Sequence, residues 1–162
     1  MTQSDTKDKE LRQVHWDYVD GIVRVLSDYN RDKDKGLRPN VNAILDDDSA
    51  EIGKFPVISV FCTGHTEQVL SLGSVSKKVL MTYQAQIWYY NEKITGAIKR
   101  KDIYFALSTI SAIMRENPTV GGFAHDTRIL ASWLKPKIVN GTLVSGGVVI
   151  IESDKIIRQS NV

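Results

Sequence analysis

The chain has 162 residues, 42% hydrophobic, 25% charged and 8% aromatic, the composition of one domain with a single core rather than of a disordered or fibrous chain. No apolar run approaches the roughly 20 residues that cross a bilayer. Met1 to Glu10 are polar, without the hydrophobic region of a secretion signal, so the expectation is a cytoplasmic protein with no membrane partner. The lone cysteine, Cys62, excludes an internal disulfide. Residues 1–54 carry 9 basic and 12 acidic side chains and residues 55–162 carry 12 and 7, an asymmetry too small and too dispersed for a dedicated duplex-DNA reader.

After a polar tail over residues 1–10, Leu11, Val14, Tyr18, Ile22, Val25 and Tyr29 recur every three or four residues and predict a helix whose apolar stripe packs on a sheet. Gly21 costs that helix up to about 1 kcal/mol relative to alanine, which suggests a close contact there. Residues 31–54 read as a long loop with one short strand near Val41 to Leu45. The acidic triplet Asp46, Asp47 and Asp48 lacks the alternating ligands and closing glutamate of a calcium loop. Pro56 to Cys62 reads as a buried strand and Thr63 to Lys78 as a long polar hairpin connection.

From Val79 to Tyr90 the alternation is plain. Val79, Met81, Tyr83, Ala85, Ile87 and Tyr89 face one way, and Leu80, Thr82, Gln84, Gln86, Trp88 and Tyr90 the other. Ile103, Leu107, Ile110 and Met114 predict a second helix within Gly96 to Glu116, ended by Asn117-Pro118. A strand follows within Phe123 to Lys135, with Ile129, Ala131 and Trp133 on one face. Asn140-Gly141 marks a turn into a last strand, Leu143 to Ile151, where Gly146-Gly147 suggests a bulge or a close backbone approach. The order helix-strand-strand-helix-strand-strand predicts an α+β fold, a mainly antiparallel sheet with two helices on one face, in a two-layer sandwich. One domain over residues 11–157 would be followed by a short tail, 158–162.

Catalytic chemistry is not announced. Cys62 and His65 are the one nucleophile-base pair near in sequence and also half of a metal-site spacing, yet His15 and His125 fall on a helix and at a separate strand start. His125-Asp126 reads as a capped turn. Phosphate-loop, dinucleotide-turn and His-Glu-x-x-His patterns are absent from the sequence, so no cofactor, metal or enzymatic activity is expected. Lys99, Arg100 and Lys101 form the one tight basic cluster, either a solvated lead-in to a helix or a positive ring facing nucleic acid or an acidic partner.

Taken in order, the elements from about residue 11 to 152 resemble the tail terminator and tail-completion (head-tail joining) proteins of long-tailed bacteriophages. The carriers are the N-terminal amphipathic helix and long loop, Phe55-Pro56-Val57-Ile58-Ser59-Val60, the strand Val79 to Tyr90, and the helix Lys101 to Glu116. Asn117-Pro118-Thr119-Val120-Gly121-Gly122 with Asp126 and Gly146-Gly147-Val148-Val149-Ile150-Ile151 complete them. The resemblance implies a virion protein without enzymatic activity, built in the host cytoplasm. It would form a homo-oligomeric ring of six subunits that caps the tail tube at its head-proximal end, stops polymerisation of the tail-tube protein and meets the head/neck connector. Within such a ring the aromatic strand end Trp88, Tyr89 and Tyr90 is a candidate subunit anchor as well as candidate core, and Lys99 to Lys101 are candidates to line a lumen through which DNA passes. Alternatives are a head-completion or neck adaptor ring, a nucleic-acid-binding module using the same cations, and a small hydrolase using Cys62 and His65.

Overall fold

A computed structural model describes residues 3–46, 55–73 and 75–160, with side chains from residue 14 to residue 159 of those stretches. Helices α1 (Gln3–Arg31) and α2 (Arg100–Glu116) alternate with strands β1 (Ala43–Leu45), β2 (Val57–Leu72), β3 (Ser76–Lys93), β4 (Asp126–Leu134), β5 (Lys137–Val139) and β6 (Thr142–Ser160). The strands form one sheet in the order β1-β2-β3-β6-β4, with β5 also on β6. Every pairing is antiparallel except β1 with β2. The α+β fold with helices packed on the sheet is therefore the architecture of the chain. Asp47 and Asp48 of the acidic triplet lie outside the described residues.

The helix layer is held by apolar burial. Tyr18, Ile22 and Leu26 of α1 and Ile103, Leu107, Ile110 and Met114 of α2 meet Val60, Met81, Tyr83, Ala85, Ile87, Val149 and Ile151 in one core. Each fully buried aliphatic side chain contributes about 1.5 to 3 kcal/mol against exposure. A smaller cluster, Val57, Trp88, Tyr90, Val144 and Val148, occupies the opposite face of the sheet. There the Trp88 and Tyr90 rings stack 5.9 Å apart, with the Lys137 ammonium 5.0 Å from the Trp88 ring centre.

Close backbone contacts fix how the layers meet. Asn117 ends α2 by donating from Nδ2 to the Ile113 carbonyl at 2.8 Å, and the turn that follows places Val120 at φ 49°. The Val120 carbonyl presses on α1 at Gly21, where an added Cβ would stand 2.8 Å from that oxygen. In β6, Gly146 lies against the Tyr89 carbonyl, and a Cβ on Gly147 would meet the Trp133 carbonyl at 2.8 Å. Asn140 and Gly141, at φ 50° and 74°, form the tight turn between β5 and β6, pairing Val139 with Thr142.

Four expectations are corrected. The stretch read as a hairpin connection, Thr63 to Lys78, is mostly strand. β2 runs to Leu72 and β3 starts at Ser76, and the two are paired from His65 opposite Tyr83 to Leu72 opposite Lys77. Shifts at Cys62/Gly64 and Val69/Ser71 reset the alternation, and residues 66–72 are exposed on both faces, so no two-residue period is visible. β6 likewise runs past Ile151 to Ser160, and α1 starts at Gln3 rather than Leu11. In β4 a shift between Ile129 and Ala131 puts Ile129 on the helix side and Ala131 and Trp133 on the other, so the three do not share a face.

At Gly21 two effects oppose each other. Alanine there gains up to about 1 kcal/mol of helix propensity but drives its methyl into a backbone carbonyl that has little room to retreat, a strain of about 1 to 3 kcal/mol. Gly21→Ala is expected to lower stability in urea unfolding by about 1 kcal/mol. An equally or more stable variant would refute the seating of the Val120 turn on α1.

Candidate functional site

Cys62 sits half-buried on the helix side, its Sγ donating to the Gly64 carbonyl at 3.5 Å, and burial pushes the thiol above its ordinary value, the opposite of an activated nucleophile. His65 does not serve it as a base. Its Nδ1 is 2.7 Å from His15 Nε2, and its Nε2 is 3.4 Å from Glu67. His125 is held by its backbone N–H on the Asp154 carbonyl at 2.8 Å. Among the described residues no group of three or more His, Cys, Asp or Glu is placed to hold a metal ion.

The histidine pair joins α1 to β2 and was not foreseen, because its members are fifty residues apart. His15 lies beside Val14 and Tyr18 on the inward stripe, so its direction was legible and its partner was not. Both imidazoles contact the Tyr83 ring, at 5.8 and 5.5 Å, and Tyr83 leads on to Tyr18 and Phe123. Lys155 covers Phe123 at 4.3 Å. Burial first, and His65 second, lower the pKa of His15 below 6.5. Burial pushes the Tyr83 phenol up to about 12. Nearby, Tyr18 donates to Ser153 at 2.9 Å, and Ser153 and Thr127 share a 2.7 Å hydrogen bond, which ties α1, β6 and β4 together in the core.

On the opposite face Arg128 forks onto two carboxylates, Nη1 to Asp154 and Nη2 to Glu152, each at 2.7 Å. Thr82 donates to the second oxygen of Asp154 at 2.7 Å. Burial pushes the Asp154 carboxyl up, but the hydrogen bonds from Arg128 and Thr82 outweigh it and hold the group below the usual carboxylate range. Both carboxylates are committed to Arg128. They brace β3, β6 and β4 against one another, and the partial exposure of Arg128 limits each pair to about 1 kcal/mol.

Beyond the level of Thr82 and Asp154 the sheet loses β4 and continues as an arm of three strands, residues 66–72 of β2, 76–82 of β3 and 154–160 of β6. Val79 and Met81 of the arm are buried, on the side along which α1 packs. The arm ends in exposed aliphatic residues. Leu72 is 80% and Val75 74% exposed, and Val69 and Leu70 about half. At the other end of the molecule Phe105 of α2 is 70% exposed and borders a groove of about 450 Å³ with Leu37, Arg38, Ser108 and Ala112. Neither surface carries a local signal in the sequence, since Thr63 to Lys78 reads as a hairpin connection and Phe105 lies off the stripe that marks α2.

The aromatic trio is divided by the pleat. Trp88 and Tyr90 belong to the smaller cluster and Tyr89 to the main core, and none is more than 6% exposed, so their surfaces are taken up within the chain. On the Trp88 face the exposed aromatic residue is Trp133. Lys99 reaches Glu92 at 3.3 Å, while Arg100 and Lys101 stand exposed in the first turn of α2. There they add to the positive end of the helix dipole instead of opposing it. Among the described residues no helix is long and apolar enough to cross a membrane.

No family model matches the chain. No characterised protein matches its sequence either.

The depressed His15 pKa fixes a sign. Between the folded value and 6.5 the unfolded chain binds more protons, so this contribution is complete above about pH 6.5 and is lost as pH falls toward the folded value. Wild-type stability should fall more between pH 7.5 and 5.5 than that of His15→Gln, measured by urea unfolding at both values. Parallel profiles would remove His15 from the pH response.

Proposed function

We propose that this chain is a structural subunit of a phage tail, the tail terminator. Copies of it close into a ring on the tail tube, stop growth of the tube and present the face on which the head/neck connector docks. The observation that carries this reading is the arm. A subunit that places exposed aliphatic residues at the end of a stiff three-stranded extension, and holds its polar chemistry in braces, is built to be completed by neighbours. Element order supports the same reading through the resemblance carried by Asn117 to Gly122 and Gly146 to Ile151.

Six copies is the number the resemblance suggests. A closed ring suits a terminator because identical head-to-tail contacts close only at a fixed rotation, so the ring can bind a tube end and leave no repeat of the tube's own docking surface exposed. Arg100 and Lys101 contribute positive charge that suits a lumen traversed by DNA. A head-completion or neck adaptor ring shares these features and differs in binding the connector side only.

The deciding experiment adds purified protein to polymerising tail-tube protein. Tubes should shorten, with rings at one end by negative-stain microscopy. Tubes of unchanged length that carry no rings would sink the proposal, and rings that bind connector but not tube would replace it with the adaptor reading. If Arg100 and Lys101 face the lumen, Arg100→Glu/Lys101→Glu should leave ring formation unchanged and reduce the salt slope of weak DNA binding by about 2, measured by fluorescence anisotropy. An unaltered slope would place these cations elsewhere.

A further inference from the structure

We infer that the arm tip, Leu72 and Val75, seats in the Phe105 groove of a second copy of this chain, and that this head-to-tail contact is what builds the ring. The inference rests on the ring reading above and names its contact.

The occupant is argued from position, size and area. Tip and groove lie at opposite ends of the sheet. From Ser76 beside the tip to Tyr89, which borders the continuation of the groove with Pro39 and Lys101, β3 extends on the order of 40 Å at about 3.3 Å per residue. A straight, continuously paired strand cannot bring its two ends together, so the tip meets this groove only on another molecule. Such a contact uses two different patches and leaves one of each free, the arrangement that generates rings or filaments rather than closed pairs.

The groove, at about 450 Å³, has several times the volume of the ~150 Å³ cavity that holds a benzene ring, enough for both tip side chains. Its floor of Leu37, Phe105 and Ala112 is apolar, and Phe105, 70% exposed in the isolated chain, gains most from being covered. The tip residues Val69, Leu70, Leu72 and Val75 expose roughly 400 Å², the size of the largest apolar patch on an ordinary monomer, which is often functional. Counting both partners, one such contact buries less than the ~1,200 Å² of a stable pair. Isolated dimers should therefore be weak, and assembly should depend steeply on concentration until a ring closes.

Edge pairing is the competing way to join copies, and along β2 the structure works against it. The outer edge of β2 is broken at the root of the arm and along it by the irregularities at Cys62/Gly64 and Val69/Ser71, which interrupt the even ladder that a foreign strand needs.

The test compares wild type with Leu72→Asp/Val75→Asp and with Phe105→Asp by mass photometry and sedimentation from 1 to 100 μM. Each variant alters residues that are largely exposed, so circular dichroism should show the wild-type fold. Half-assembly is expected to move to at least tenfold higher concentration in either variant. A chain carrying Cys62→Ala, Leu72→Cys and Ser108→Cys should form intermolecular disulfide ladders on mild oxidation, ending at the ring size, while either added cysteine alone should give dimers at most. Wild-type-like assembly in both aspartate variants overturns the inference, as does a wild type that stays monomeric at 100 μM. Variants that still form rings but lose tube ends would assign the tip to the tube subunit and also overturn it. Rings that need the tip yet fail to stop tube growth would leave this contact standing and refute the terminator function.

Discussion

A β-sheet must have its apolar face covered, and here the sheet is longer than the layer that covers it. β3 and β6, of 18 and 19 residues, pair along nearly their whole lengths, while α2 packs on the half of that ladder that also carries β4. Over the remaining length only α1 is available among the described residues, and α1 is correspondingly extended, at 29 residues or about 43 Å. The main core, the brace at the root of the arm and the exposed tip all follow from that mismatch. Where two helices and four strands meet, side chains are fully buried. With one helix and three strands, burial is one-sided, and at the end of the arm it runs out.

The places where this geometry is locked are polar. Tyr18, Ser153 and Thr127 form a buried hydrogen-bonded link at the level where β4 begins, and on the reverse side of the sheet Arg128 clamps Asp154 and Glu152. These links straddle the sheet at one level. A buried hydroxyl chain is costly unless every member is partnered, and no described buried side-chain nitrogen or oxygen lacks a partner. The histidine pair one turn along α1 is the exception in kind, because it joins helix to β2 through His15, whose pKa is held below its ordinary value by burial first and by His65 second.

Much of the body was legible in the sequence. The stripe from Val14 to Tyr29, the face of α2 and the alternation of Val79 to Tyr90 each bury one side of a regular element, and the periods show it. Glycine positions were legible as well, since the approaches at Gly21, Gly146 and Gly147 leave no room for a side chain. The arm was not, because residues exposed on both faces have no period and two register shifts scramble what remains. The shift in β4 hid the parting of Ile129 from Trp133 in the same way. Trp88, Tyr89 and Tyr90 drew attention as an aromatic run, but adjacent residues on a strand point to opposite faces, and both faces at that level are filled by the chain itself. Contacts between distant segments, such as His15 with His65 or the distance from tip to groove, are properties of the closed sheet and have no local signature.

The pairing of β3 with β6, even from Ser76 to Tyr90, also makes the arm a ruler. A ladder that crosses from body to arm without a hinge converts residue count into distance, so the separation of the two ends of this molecule is written in the number of strand residues between them. Lengthening β2, β3 and β6 together by two residues would move the tip by about 6.6 Å and keep every side chain on its face, whereas one residue would turn the whole tip over. Any change in the reach of the arm that keeps its faces is therefore quantised, proceeding by even steps in strand length.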